Sequence, residues 1–154
     1  MSSKEELIKR LNTAMAWELA GVIQYMQAAV MVTGHARETF YDFFHESSEE
    51  ARDHAELVGQ KIAVLGGVPT VEPATIRQAA DIDGMLEAAL ELEKDALKAW
   101  EDAHAVADAA NPGTVFWIEE HVAEEQEHVD HLRKLTQKVK FASSDIKKAS
   151  NKSG

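Results

Sequence analysis

Four long segments of this chain carry apolar residues at steps of three and four, the spacing that puts side chains on one buried face of an α-helix. One glutamate interrupts each apolar series, and the four are Glu18, Glu50, Glu93 and Glu125. A buried carboxylate is costly to keep charged unless it has a partner. Four of them at one level of a helical bundle therefore predict that cations are buried with them.

Two of these segments also place a histidine on the face of the glutamate. His54 follows Glu50 by four residues, and His128 follows Glu125 by three. Two divalent ions would cancel the charge of four carboxylates, with neutral imidazoles as the remaining ligands. Oxygen-rich ligation with one imidazole per metal suits iron or manganese better than a structural zinc site. The predicted metal-binding and catalytic residues are Glu18, Glu50, His54, Glu93, Glu125 and His128.

The two halves of the sequence resemble each other in the spacing of these residues. Glu18 and Glu93 are 93 − 18 = 75 residues apart, and Glu50 and Glu125 are 125 − 50 = 75 apart. Seven residues after Glu18 stands Tyr25, and seven after Glu93 stands an aromatic residue again, Trp100. A helical hairpin repeated about a pseudo-twofold axis would bring both halves to one shared centre.

Composition limits the class of protein. The 154 residues carry a net charge of −11, which argues against general nucleic-acid binding. No apolar run approaches the roughly 20 residues of a membrane span, and the polar N-terminus is not a signal peptide. The absence of cysteine excludes disulfides and thiolate metal sites. We therefore expect a cytoplasmic protein that contacts neither membrane nor nucleic acid.

Turn and cap signals divide the chain into four predicted helices. A capping box at Ser3 and Glu6 begins the first. The predicted ranges are 3–33, 37–65, from Asp81 or Asp83 to 110, and 114–141. Leu57 is among the apolar residues predicted on the buried face of the second helix, and Val139 is among those of the fourth. Residues 1–142 are thus predicted to form one helical bundle domain. Residues 143–154 are predicted to be a polar, disordered tail without a fifth helix.

The connections between helices indicate an all-α four-helix bundle. Short turns make antiparallel neighbours of the first two helices and of the last two. The link of residues 68–80 can extend to about 45 Å, and a helix of this length spans roughly 40 Å. The link could therefore cross the whole bundle and leave the second and third helices parallel, or lie slack in a simple up-down bundle.

Several motifs resemble those of the ferritin-like di-iron proteins, and of bacterioferritins in particular. They are Glu18-Leu19-Ala20-Gly21-Val22-Ile23-Gln24-Tyr25, His45-Glu46-Ser47, His54-Ala55-Glu56, Leu65-Gly66-Gly67-Val68-Pro69, Leu90-Glu91-Leu92-Glu93 and Glu124-Glu125-Gln126-Glu127-His128-Val129-Asp130. The resemblance covers roughly residues 5–140. It implies a ferritin-like bundle with a long crossover between helices two and three. It also implies that the metal ligands are one glutamate from each of two helices and a Glu/His pair from each of the other two. It also implies oxidation of Fe(II) by O2 or peroxide, iron storage, a homo-oligomer, and bridging roles for Glu50 and Glu125.

The chain departs from the family pattern on its second helix. The family has Glu-x-x-His, but Ala51 stands three residues before His54, and the nearest glutamate is Glu50, four before. A π-turn or plain i,i+4 geometry would keep Glu50 and His54 on one metal, and Asp53 and Glu46 are the reserve ligands. The family's haem-binding methionine is replaced by Ala51 or Arg52, so we expect no haem.

Three functions remain open from the sequence. The first is a ferroxidase for iron storage or detoxification. The second is a rubrerythrin-like peroxidase, which would need an external electron donor because the chain has no cysteine. The third is a non-catalytic metal-binding bundle.

Overall fold

A computed structural model describes the backbone of residues 1–151 and the side chains of residues 1–147. Within this range the regular structure is entirely helical. The helices are α1, Ser3–Met31; α2, His35–Val64; α3, Ile82–Ala105; α4, Pro112–Leu135; and α5, Ser143–Asn151. The predicted all-α bundle is confirmed. None of the described helices has a stretch that is both long and apolar enough to span a membrane.

The long connection of residues 65–81 crosses the bundle along α1. At its start the Asn12 side chain donates to the backbone carbonyl of Val68, and at its end the Gln27 side chain donates to the side-chain oxygen Oε1 of Gln78. The connection therefore runs from near the beginning of α1 to near its end. Because α2 also begins at that end of α1, α2 and α3 run parallel, and the predicted long crossover is confirmed.

Several predicted helix ends were wrong. The capping box lies at Ser2 and Glu5, one residue earlier than predicted. α3 ends at Ala105, and α4 ends at Leu135 rather than at residue 141. Gln137 ends α4 because it adopts a φ of 58°, and the amide of Lys138 then donates back to the carbonyl of Arg133. The residue in this left-handed position is usually a glycine, so a glutamine there could not be recognised as a helix end from the sequence.

The C-terminal segment also differs from the prediction. Residues predicted as a disordered tail form α5, and Asp145 in its first turn suits the positive end of the helix dipole. Residues 152–154 of the predicted tail lie outside the described residues. The division into one bundle domain and a tail stays a prediction.

Two apolar clusters flank the level of the glutamates. One includes Phe44 and Leu90, and the other includes Leu11 and Trp100. Between the two clusters, along the bundle axis, lie Glu18, Glu93 and Glu125. Packing of apolar residues on both sides therefore fixes the position of these glutamates along the axis. Two residues predicted on the buried stripes are exposed: Leu57 by 46% and Val139 by 41%. Val139 lies beyond the true end of α4.

Candidate metal centre

Three of the four predicted glutamates are buried in the middle of the bundle. Glu18 on α1 is 4% exposed, Glu93 on α3 is 8% exposed and Glu125 on α4 is 2% exposed. His54 on α2 is buried with them, and His128 on α4 is partly buried. Each of the four long helices therefore contributes at least one side chain to the same level.

These five residues form two groups that share one carboxylate. Glu18, His54 and Glu125 make the first group, and Glu93, His128 and Glu125 make the second, with the ligand atoms of each group within 4.8 Å of one another. In the first, Nδ1 of His54 lies 3.7 Å from Oε2 of Glu18. In the second, Nδ1 of His128 lies 3.5 Å from Oε2 of Glu93 and 3.5 Å from Oε2 of Glu125. Glu125 is thus placed to bridge two metal ions.

Two aromatic side chains orient the outer carboxylates in a symmetric way. The hydroxyl of Tyr25 donates to Oε1 of Glu93 at 2.7 Å, and the indole N–H of Trp100 donates to Oε1 of Glu18 at 3.3 Å. In both glutamates Oε2 is left facing the histidine of its group. The matching aromatic residues seven positions after Glu18 and Glu93 therefore perform the same task for the opposite half.

The fourth predicted glutamate, Glu50, does not lie on the buried stripe. Its side chain is 47% exposed, and its Oε1 lies 3.0 Å from Nε2 of His128 and 3.9 Å from Nε2 of His54. α2 is α-helical throughout, without a π-turn, so Glu50 and His54 are related by plain i,i+4 geometry. Ala51 takes the inward position instead, because α1 presents Gly21 there and a Cβ on that glycine would lie 3.2 Å from the Ala51 Cβ. The expectation that all four glutamates are buried was wrong for Glu50.

A cavity of about 330 Å³ opens from this centre between α2 and α4. Its wall includes Ala51, where the family pattern would place a carboxylate, and its acidic lining includes Glu46, Glu50 and Glu127. The reserve ligand Glu46 is thus within the cavity. Asp53, the other reserve ligand, is 73% exposed and lies 3.7 Å from Arg52, so the structure does not bring it to the centre.

Burial and neighbouring charges shift the pKa values of the centre's residues. Burial, together with the charges of Glu18 and Glu93, raises the pKa of Glu125 well above its usual range. Although burial opposes it, the neighbouring carboxyl groups of Glu125, Glu50 and Glu93 raise the pKa of His128. Although burial opposes it, the neighbouring Glu125 and His128 hold the pKa of Glu93 at about 2. Cations bound between these residues would compete with the protons of Glu125 and His128.

Two atoms of the centre show that these residues fit a metal. Oε2 of Glu125 and Nδ1 of His128 are both buried and lack a hydrogen-bond partner. Buried polar atoms without partners are rare, and each calls for a water or an ion. Both atoms face the space shared with Glu93, and carboxylate oxygen with imidazole nitrogen is a donor set that suits iron or manganese.

Sequence reasoning missed two residues beside the centre. Oε2 of Glu124 lies 2.9 Å from Nε2 of His54. His121 is 5% exposed and stacks on Trp100 with 4.2 Å between ring centroids. Burial and the neighbouring His54 lower the pKa of His121 to about 4. A signal was present, because His121 lies four residues before Glu125 on the same helical face.

Comparison with known proteins places the chain in a family. The family model for a ferritin-like domain matches residues 8–142. A bacterial ferritin from Pseudomonas aeruginosa is 32% identical over 94 residues, 61% of each chain, so the match spans about three fifths of that relative's length. A bacterioferritin from Brucella melitensis is 28% identical over 136 residues, covering 86% of this chain and 83% of the relative.

A solved structure agrees with these matches. The ferritin-like di-iron-carboxylate protein from Bacillus anthracis superimposes with a TM-score of 0.83 at 33% identity, covering 88% of this chain and 99% of that one. The family match, the four-helix arrangement and the shared carboxylate between two Glu/His groups agree with one another. The chain belongs to the ferritin-like family, with relatives among the bacterioferritins and bacterial ferritins.

Proposed function

We propose that this protein is a ferroxidase that oxidises Fe(II) with O2 or H2O2 for iron storage or detoxification. The observation that carries the proposal is the buried carboxylate of Glu125, shared by two Glu/His groups. A structural metal site needs only one such group of ligands. Each Fe(II) ion gives up one electron on oxidation to Fe(III), so two ions held side by side supply together the two electrons that reduce O2 to H2O2.

The residues proposed to bind the two Fe(II) ions come from all four long helices. Glu18 and His54 would hold one ion, Glu93 and His128 the other, and Glu125 both. Glu50 is the proposed further bridge. Its Oε1 lies near Nε2 of His54 and Nε2 of His128, on the side of the centre that faces the cavity. Its part in metal coordination stays a prediction. Two Fe(II) ions supply two electrons, and O2 with two protons is thereby reduced to H2O2.

The chain's own groups prepare the centre for this reaction. Tyr25 and Trp100 fix one oxygen of Glu93 and Glu18 and leave the other free to bind. Protons held by Glu125 and His128 are displaced when the cations enter. The acidic residues of the cavity, Glu46 among them, raise the local concentration of Fe(II) at its opening.

The assembly and cofactor content follow from the same proposal. Storage requires an enclosed space, so we propose a homo-oligomer in the cytoplasm, with iron rather than manganese as the metal. Arg52 occupies one of the two positions that correspond to the family's haem-binding methionine. Its side chain is exposed, and its Nη1 lies 3.4 Å from Oε2 of Glu56. The absence of haem and of nucleic-acid binding stays a prediction.

Anaerobic loading with two Fe(II) per chain, followed by rapid mixing with O2 or H2O2, tests this function. We expect ferric absorbance to appear rapidly in the wild-type protein and to be lost in Glu18→Ala. Ferric product only with H2O2, with turnover dependent on an added electron donor, would favour the peroxidase. Metal binding without oxidation by either oxidant would leave only the non-catalytic bundle.

A further inference from the structure

A third group of potential ligands lies beside the di-metal centre. It consists of His54 from α2 with His121 and Glu124 from α4, and one ligand atom of each lies within 4.8 Å of the others. We propose that His54, His121 and Glu124 form a third position for one divalent transition-metal ion, adjacent to the di-metal centre and sharing His54 with it.

The sequence of α4 supports a built site. His121 and Glu124 are three residues apart, and so are Glu125 and His128. Residues at this spacing are neighbours on a helix surface. α4 therefore presents two His/carboxylate pairs on adjacent faces, and His54 lies between them on the opposing helix.

The two nitrogens of His54 face different groups. Its Nδ1 faces Glu18, at 3.7 Å from Oε2, while its Nε2 faces Glu124, at 2.9 Å from Oε2. The ring of His54 meets that of His121 edge-on, with centroids 5.3 Å apart. In a tetrahedral site, two ligands at about 2.1 Å from one ion lie about 3.4 Å apart. Because the three ligand atoms lie within 4.8 Å of one another, each pair needs to approach by at most about 1.4 Å to bind the same ion.

Burial and chemistry indicate which ion would bind. His121 is 5% exposed and His54 is 8% exposed, so both imidazoles are fixed by packing, His121 between Trp100 and Trp117. Glu124 is half exposed and connects the position to solvent. Two imidazoles and one carboxylate suit Fe(II), Co(II) and Zn(II) better than Mg(II) or Ca(II).

Sharing His54 has a consequence for the di-metal centre. A neutral imidazole has one free lone pair, on the nitrogen that lacks the proton. An ion on Nε2 of His54 therefore competes with an ion on Nδ1, between Glu18 and Glu125. An ion that enters past Glu124 can therefore bind at the third position before it moves to the di-metal centre. A zinc ion that stays at the third position would prevent His54 from binding a metal ion of the di-metal centre.

Co(II) titration under anaerobic conditions tests the proposal without relying on iron oxidation. The combined variant Glu18→Gln, Glu93→Gln and Glu125→Gln removes the carboxylate charge of the di-metal centre but keeps the third group. We expect it to bind one Co(II) per chain, with visible absorption typical of imidazole ligation. Adding His121→Phe, which keeps a ring against Trp100, or Glu124→Gln should weaken that binding at least tenfold. Glu120→Gln, an exposed carboxylate on the same helix, is the matched control and should change nothing.

The result that would overturn the proposal is a combined variant that binds no Co(II), or one whose binding is unaffected by His121→Phe and Glu124→Gln. Crystals of the single variant Glu18→Gln grown with Zn(II) give a second test, because this change weakens the position on Nδ1 of His54 that competes with the third position. Anomalous scattering at the zinc edge should show an ion between His54, His121 and Glu124. Zinc found only between Glu93, Glu125 and His128 would refute the third position, while leaving the ferroxidase proposal intact.

Discussion

At the scale of single residues, the closeness of the carboxylates determines how the centre titrates. Glu125 has a raised pKa because it is buried beside Glu18 and Glu93, and His128 has a raised pKa because carboxylates surround it. Each of these two residues therefore keeps its proton to a higher pH than an isolated side chain of its type. The retained protons reduce the repulsion among the clustered carboxylates.

The first prediction concerns Glu125→Gln. Glutamine has the shape of the acid and carries no charge, and the raised pKa of Glu125 shows that the charged form is disfavoured at this position, so we expect the free energy of unfolding measured without added metal to change by less than about 1 kcal/mol. Rapid Fe(II) oxidation should fall more than about 100-fold, because a bridging charge is lost. Urea denaturation and stopped-flow absorbance measure the two effects, with Glu120→Gln as the control. Wild-type oxidation rates in Glu125→Gln would remove this residue from the centre.

The second prediction concerns pH. Since the pKa values of Glu125 and His128 are raised and both residues must lose their protons to bind metal, divalent metal affinity should rise with pH and fall in acid. Protons should be released on binding, as measured with a pH indicator in weakly buffered solution. Affinity that is unchanged between pH 6 and pH 8 would contradict this account of the centre.

At this scale the sequence predicted most of the centre. A glutamate within an apolar stripe was a reliable sign for Glu18, Glu93 and Glu125, all of which are buried. It failed for Glu50, which lies one residue before the inward-facing Ala51. Apolar residues at steps of three and four do not distinguish two neighbouring positions of α2, so Glu50 appeared to belong to the buried face. Only the contact between Gly21 and Ala51, made by another helix, decides which residue of α2 faces inward.

At the scale of the helices, the crossover depends on tight packing where α2 ends. Gly66 adopts a φ of 87°, which suits glycine, and Gly67 fits closely against α1 and α2. A Cβ on Gly67 would lie 2.6 Å from Cγ2 of Ile8 and 3.0 Å from Cγ2 of Ile62. A side chain at residue 67 would therefore force Ile8 and Ile62 to move at the point where the crossover begins.

The third prediction follows from that contact. Gly67→Ala should lower the free energy of unfolding by about 1–3 kcal/mol, because Ile8 and Ile62 must move. The matched control is Gly113→Ala in the first turn of α4, where a Cβ would meet nothing within 4 Å. That change should be neutral or stabilise by up to about 1 kcal/mol. Equal effects in urea denaturation would show that the packing at Gly67 does not support the crossover.

Helix ends were less predictable than helix faces. The length of the 68–80 link was readable from the sequence and is sufficient to cross the bundle. The hydrogen bonds of this connection to α1 agree with that crossing and with the parallel orientation of α2 and α3. The end of α4 could not be found, because Gln137 has no special tendency toward positive φ and only the local hydrogen bonds reveal it.

At the scale of the whole molecule, α1 presents an apolar face to solvent. Ile23, Met26 and Val30 are 38%, 52% and 73% exposed and lie at steps of three and four residues. An exposed apolar face of this kind favours association. The net charge of −11 works against association, unless buried contacts outweigh the repulsion.

The fourth prediction is that the protein is a homo-oligomer whose interface includes this face of α1. Light scattering should give a mass several times that of one chain. Met26→Asp should shift the mass downward, because it would bury a charge in the interface. Phe116→Asp alters an equally exposed apolar side chain on α4 and serves as the control. A wild-type protein that remains monomeric at high concentration would exclude an iron-storing shell.

Iron-edge anomalous diffraction from crystals loaded anaerobically with Fe(II) would show whether the centre binds two iron ions through one shared carboxylate. We predict two iron peaks per chain, about 3.5–4 Å apart, one beside Glu18 and His54 and the other beside Glu93 and His128. The carboxylate of Glu125 should bind both ions. A single iron peak, or two peaks that do not share Glu125, would contradict the di-iron centre and the ferroxidase function built on it.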